Sequence, residues 1–229
     1  MVAVFAIAMA ALEGAVVVYL RALYYPGEFT VAFRVIDEKI LLVELVRELA
    51  TLVMLFGVGY IAGKNFKERL AYFLLSFAVW DIFYYVWLKV FINWPVTILD
   101  WDILFLIPIT WLGPVLAPVI CSITMIVLAW VLLSEQNKTT CYRFWTLLIT
   151  GCVVILFTFM QDYFMLLYQH DLFDHYATLL RNETFVSVAS TFIPESYPWW
   201  LFGIGEALIL GAIAHYKYSK STEVSLAVA

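Results

Sequence analysis

Runs of about twenty apolar residues follow one another along the whole chain. Each is the length an α-helix needs to cross a hydrocarbon core at about 1.5 Å per residue. Nothing else in the sequence constrains the fold as hard. Hydrocarbon offers no partner to a free N–H or C=O, so such segments cross as helices that satisfy their own backbone. Of the residues, 65% are hydrophobic and 14% charged; a soluble domain carries about a quarter charged residues to solvate its surface. The expected fold class is therefore all-α, a polytopic membrane protein forming a single bundle over residues 1–229. Its six spans are expected at about 3–24, 40–62, 70–93, 103–133, 144–168 and 197–217. The longest polar stretch, 169–196, is expected as an outer interfacial loop.

The first span has no basic residues ahead of it, and Glu13 interrupts its apolar run, so it is expected as a retained helix rather than a secretory signal. A net charge of −5 says little about nucleic acid except that nothing basic invites it, and no nucleic-acid partner is expected. Cys121, Cys141 and Cys152 have no CxxC or zinc spacing and are expected as small hydrophobes.

Lys and Arg orient the bundle. Lys64, Lys67, Arg69, Lys138, Arg143, Lys217 and Lys220 fall on one side, whereas 94–102 has none and 169–196 has only Arg181. Arg34 and Lys39 run against the trend. The positive-inside rule then predicts both termini in the cytoplasm of a plasma or bacterial inner membrane. Tyr24, Tyr25, Trp94, Trp101, Trp199 and Trp200 fall at the expected outer boundary.

Charges inside the spans carry the functional signal. Asp81 lies in FAVWDIFYYVWLK about 11 residues into its span, near the midplane, where a carboxylate must face the bundle interior. With Tyr85 and Lys89 one and two turns on, it makes a polar stripe. Glu44, Arg47, Glu48 and Thr51 share one face of the second span. Glu13 and Arg21 lie on the first, Asp162 on the fifth and Glu206 on the sixth. Gly203, Ala207 and Gly211 recur every four residues beside Glu206, a small-residue face expected to turn it inward. Gly59 and Gly63 are expected as helix-packing positions.

The expectation is one acidic cavity open to the outside, lined by Glu13, Glu44, Arg47, Glu48, Asp81, Tyr85, Lys89, Asp162 and Glu206, with Arg21 above. Asp100 and Asp102 are expected to widen its mouth. Acids in excess inside a low-dielectric site call for protons, a bound cation or a cationic substrate. The alternative is a set of paired charges that knit the bundle together.

The fourth span contains Pro108, Gly113, Pro114 and Pro118 in IPITWLGPVLAP. Each proline removes a donor and displaces a carbonyl, so a broken helix is expected, the kind that forms ion or substrate sites in transporters. In the outer loop, His170, Asp171, Asp174 and His175 have donor chemistry suited to a metal ion, but their spacing matches no metal motif, and solvated residues are the simpler reading. There is no nucleophile elbow, P-loop or dinucleotide fingerprint.

The leading expectation is thus cation- or proton-linked transport or conduction, with Asp81 as the central group. The alternatives are an intramembrane enzyme acting on a lipid or isoprenoid, and a non-catalytic subunit of a membrane complex. Expected partners are the bilayer itself, a cation, proton or lipid ligand, and further copies of the chain in a homo-oligomer. The sequence names no cofactor.

Overall fold

The computed structural model describes residues 1–24, 38–135, 138–172, 185, 187–188, 192, 194 and 196–219. Six long helices stand among them: α1 (Val2–Tyr24), α2 (Glu38–Ala62), α3 (Phe66–Ile92), α4 (Leu116–Ser134), α5 (Tyr142–Gln169) and α6 (Trp199–Tyr218). All but α2 are long and apolar enough to cross a membrane, as in multi-pass helical membrane proteins. α2 differs because Glu44, Arg47 and Glu48 crowd its first half.

α3 is the hub. α1, α2 and α4 all pack on it, while α5 pairs with α6, and α6 joins the two groups through α4. On α1, Ala6 and Ala10 are fully buried, and Gly14 brings the backbone against Trp87. This small-residue stripe at four-residue spacing lets α1 lie close to α3. The indole of Trp87 then donates to the Ile7 carbonyl across the same contact (3.1 Å). α3 starts at Asn65, whose side chain accepts from the Glu68 amide while Glu68 accepts from Asn65 Nδ2 and the Lys64 amide. This reciprocal cap satisfies three donors at the turn from α2. The helix stops at Asn93, which is in the left-handed region (φ 55°).

The fourth span departs from expectation. Residues 101–114 form an antiparallel hairpin, β1 (Trp101–Phe105) and β2 (Trp111–Pro114), and the helix begins only at Leu116. Trp101 pairs with Pro114, Asp102 with Gly113, Ile103 with Leu112, and Phe105 with Trp111 across a shift in register. The prolines explain it. Pro108 sits at the tip and Pro114 at a strand end, where no ladder donor is needed, and Pro118 sits in the first turn of α4, where its missing N–H costs nothing. The pairing of the strands satisfies the backbone that a kinked helix would leave open.

The hairpin folds back between the two helix groups. Phe105 stacks on Phe77 of α3, and Trp111 stacks on Phe159 of α5. Gly113 lets the strand lie close, since a Cβ would meet the Phe159 ring at 3.0 Å and the ring would have to give way. The hairpin enters from the end of the bundle where α3 stops, and its Phe105 reaches the middle of α3. The other end carries Lys67, whose ammonium donates to the Glu135 and Lys138 carbonyls and to the Tyr216 hydroxyl (2.7, 3.0 and 3.2 Å).

Candidate ligand cavity

A cavity of about 670 Å³ lies beneath the hairpin. Every helix contributes to its wall: Glu13 and Val17 from α1, Glu44 and Thr51 from α2, Leu74 and Asp81 from α3, Cys121 and Leu128 from α4, Leu148 and Val153 from α5, Glu206 and Ile209 from α6. The polar residues are gathered toward the hairpin, and the side toward the basic end is apolar, bounded by Leu70, Leu74, Leu128, Trp145 and Leu148. Ile149 and Val153 line the cavity yet are 57% and 58% exposed, so the space opens sideways along α5. Among the described residues α2 and α5 are not a closely packed pair.

Three polar groups divide the site. In the first, Arg47 pairs with Glu13 and, through Nε, with Glu44 Oε2 (2.7 Å). Thr51 Oγ1 donates to Glu13 Oε2 (3.2 Å), tying α2 to α1. Glu48, one turn from Glu44, accepts from the Leu106 amide with both oxygens (3.0 Å each). This carboxylate thereby holds the hairpin tip, supplying the acceptor its turn lacks. In the second group, Arg21 Nη2 donates to Asp102 Oδ1 (3.3 Å) and lies over the Trp94 ring (3.8 Å), while Tyr85 hydrogen-bonds Asp102. The arrangement locks α1, α3 and β1 together beside the hairpin stem.

The third group carries no base. Ser122 Oγ donates to Asp81 Oδ2 (2.8 Å), and Thr124 Oγ1 donates to Glu206 Oε2 (2.7 Å). On a helix, positions two apart point to nearly opposite sides. Asp81 from α3 and Glu206 from α6 therefore flank the α4 stripe of Pro118, Cys121, Met125 and Leu128 that forms part of the cavity wall. Among the described residues neither carboxylate has a Lys, Arg or His at ion-pair distance. Among the described residues Glu206 Oε1 is buried and accepts from no N–H or O–H, and the indole N–H groups of Trp80 and Trp111, both cavity residues, are buried without an acceptor.

The structure brings together most of the residues expected from sequence: Glu13, Glu44, Arg47, Glu48, Asp81, Tyr85 and Glu206, with Arg21. Lys89 is not among them. It sits in the last turn of α3, exposed, with its ammonium on the Asn93 and Pro95 carbonyls (3.4 and 2.8 Å). Carbonyls left open at a helix C-terminus attract such a cation. Asp162 is also absent from the wall, because β2 packs on Phe159 one turn earlier and ends the cavity there. Asp102 is buried on Arg21 instead of widening a solvated mouth. The hairpin stands where the outward opening was expected.

Glu206 faces inward for a different reason from the one the sequence offers. Nothing lies within 4 Å of a Cβ built on Gly203 or Gly211. The close approach runs instead through Gly205, which meets Gly151 of α5 backbone to backbone and turns the adjacent Glu206 into the cavity. Gly59 does pack, against the Phe73 backbone. His170 and Asp171 are exposed at the end of α5, and Asp174 and His175 lie outside the described residues. Among the described residues no group of three metal-binding side chains converges.

Ser122, Thr124, Trp80 and Trp111 are the site residues that sequence reasoning missed. The hydroxyls in CSIT, on an otherwise apolar helix, were the available signal. No protein-family model, curated protein or solved structure matches the chain, so the reading of this cavity rests on its own geometry.

Proposed function

We propose that the chain is an integral membrane protein that takes an amphipathic, lipid-like molecule from the bilayer into the slot between α2 and α5. The carrying observation is a single cavity whose exposed rim, Ile149 and Val153, is apolar while its carboxylates are gathered at the hairpin end. An apolar rim admits a chain from lipid and offers a soluble metabolite nothing to exchange for its water. The molecule's apolar body would lie along Leu74, Leu128 and Leu148, with its polar end among Asp81, Glu206 and the two indole donors. Native mass spectrometry of protein released from nanodiscs tests this directly. A retained adduct of lipid mass is expected; protein that carries none and takes up none from a total lipid extract would falsify the reading.

The same slot supports chemistry on the bound molecule, since Asp81 and Glu206 flank it as an acid–base pair would. A change in mass of the bound lipid over time distinguishes turnover from storage. Cation- or proton-linked transport is the second reading. It is supported by the six carboxylates that line the cavity (Glu13, Glu44, Glu48, Asp81, Asp102, Glu206) against two guanidinium groups, Arg21 and Arg47. Proteoliposome flux that Asp81→Asn abolishes without unfolding favours transport. Lipid binding without flux rejects it.

Lys64, Lys67, Arg69, Lys138, Arg143 and Lys217 collect at the end of the bundle away from the hairpin, so we assign that end to the cytoplasm. Cys141, exposed at this end, should be labelled by an impermeant maleimide only from the cytoplasmic side.

A further inference from the structure

We infer that the polar end of the bound molecule is an organic cation, a protonated amine, held between Asp81 and Glu206. The inference rests on the lipid-slot reading and names its substrate class. The charges of the cavity lead to it. Arg47 is committed to Glu13 and Glu44, Arg21 to Asp102, and Glu48 to the Leu106 amide beside Arg47. Asp81 and Glu206 remain, 8% and 7% exposed, answered by hydroxyls of α4 and, at Glu206, by the Cys121 thiol, all neutral groups. A neutral hydroxyl partner does not balance a buried carboxylate, and a cation placed between two of them does.

Two further features select an organic cation over a bare metal ion. Glu206 Oε1 is buried, lines the cavity and accepts from no N–H or O–H, so an acceptor stands ready for an ammonium donor. The carboxylates lie on either side of the α4 stripe, and no third ligand converges on them among the described residues, whereas a hard metal ion draws six or more oxygens close around itself. The walls nearby are aromatic. Phe77, Trp80, Phe105 and Trp111 form a run of ring contacts, edge-on, stacked and tilted, along the hairpin face of the cavity, and ring faces attract a desolvated cation. The apolar remainder of the slot takes the alkyl part.

The test compares octadecylamine with octadecanol, the same chain with a charged or a neutral head, binding to the full chain in zwitterionic nanodiscs by scintillation proximity. Wild type is expected to bind the amine at least about ten-fold more tightly than the alcohol at pH 7, and Asp81→Asn and Glu206→Gln to reduce that preference. An unchanged thermal unfolding midpoint shows that the variants are folded. Equal affinity for amine and alcohol in wild type overturns the cation inference and leaves the slot reading standing. An amine preference that survives both substitutions overturns the assignment to this pair. Binding of neither probe overturns the slot reading itself.

Discussion

At the scale of single residues, the cavity sets two kinds of charge side by side. Arg47 is structural: its guanidinium joins two carboxylates from two helices, and its loss strands both in a low-dielectric wall. Breaking a buried pair from one side costs on the order of 3 kcal/mol, since the remaining charge keeps its desolvation penalty. Arg47→Leu is therefore expected to lower the thermal unfolding midpoint in detergent markedly, and adding Glu13→Gln and Glu44→Gln should restore part of it. A triple variant no better than the single one would separate Arg47 from this pairing. Asp81 and Glu206 are different, because hydroxyls already answer them and their isosteric amides keep a hydrogen bond. Asp81→Asn and Glu206→Gln should change binding and leave the stability within about 1 kcal/mol of wild type.

Between elements, the decisive contacts are backbone to backbone. α5 and α6 meet at Gly151 and Gly205, where a Cβ on Gly205 would stand 2.6 Å from Ile155 and 3.1 Å from the Gly151 carbonyl. Gly205→Leu must push the helices apart and should destabilise by about 1–3 kcal/mol. Gly203→Leu, two residues away in open space, should be nearly silent; equal losses in the two variants would show that the α5–α6 contact is not made through Gly205.

The turn into the hairpin is held by Asp100, whose carboxylate accepts from the Val96 and Thr97 amides (2.7 and 3.2 Å) and from the Thr97 hydroxyl (2.7 Å). Partial burial raises this carboxyl, but the hydrogen bonds from Thr97 and Val96, with the charge of Lys89, outweigh it and hold the group below the ordinary carboxylate range. Because the folded value lies below the unfolded one, about 3.9, the turn's stabilisation is full above that pH and is lost as pH falls through the folded value. Hydrogen exchange at Val96 and Thr97, corrected for intrinsic rates, should stay protected down to about pH 5 and loosen below about pH 4. Asp100→Ala should loosen it at neutral pH.

For the molecule as a whole, two helix groups are bridged by a hairpin and by α6, and the space between them is the cavity. Its lateral opening is the feature a functional reading has to explain. Ile149→Trp adds bulk where the side chain is already exposed, so it should fold normally and narrow the entry. Loss of bound lipid from this variant in native mass spectrometry, with an unchanged unfolding midpoint, is the expected outcome. Undiminished lipid would place the entry elsewhere.

The sequence by itself determined the helices, because apolar length and backbone satisfaction in hydrocarbon are local properties of each segment. It also pointed Glu44, Glu48 and Asp81 inward, since the first two share a helical face and Asp81 at mid-span has nowhere else to go, whereas Asp162, read the same way, lies off the wall. Only the tertiary structure decided how these charges are answered. The hydroxyls on α4, the Leu106 amide and the Gly151–Gly205 contact come from distant parts of the chain, and no periodicity encodes such meetings. The fourth span shows the limit most clearly. Apolar content made 103–133 read as one broken helix, but strand pairing depends on a partner strand and on walls to cover it, and α3 and α5 provide those only once the bundle has formed.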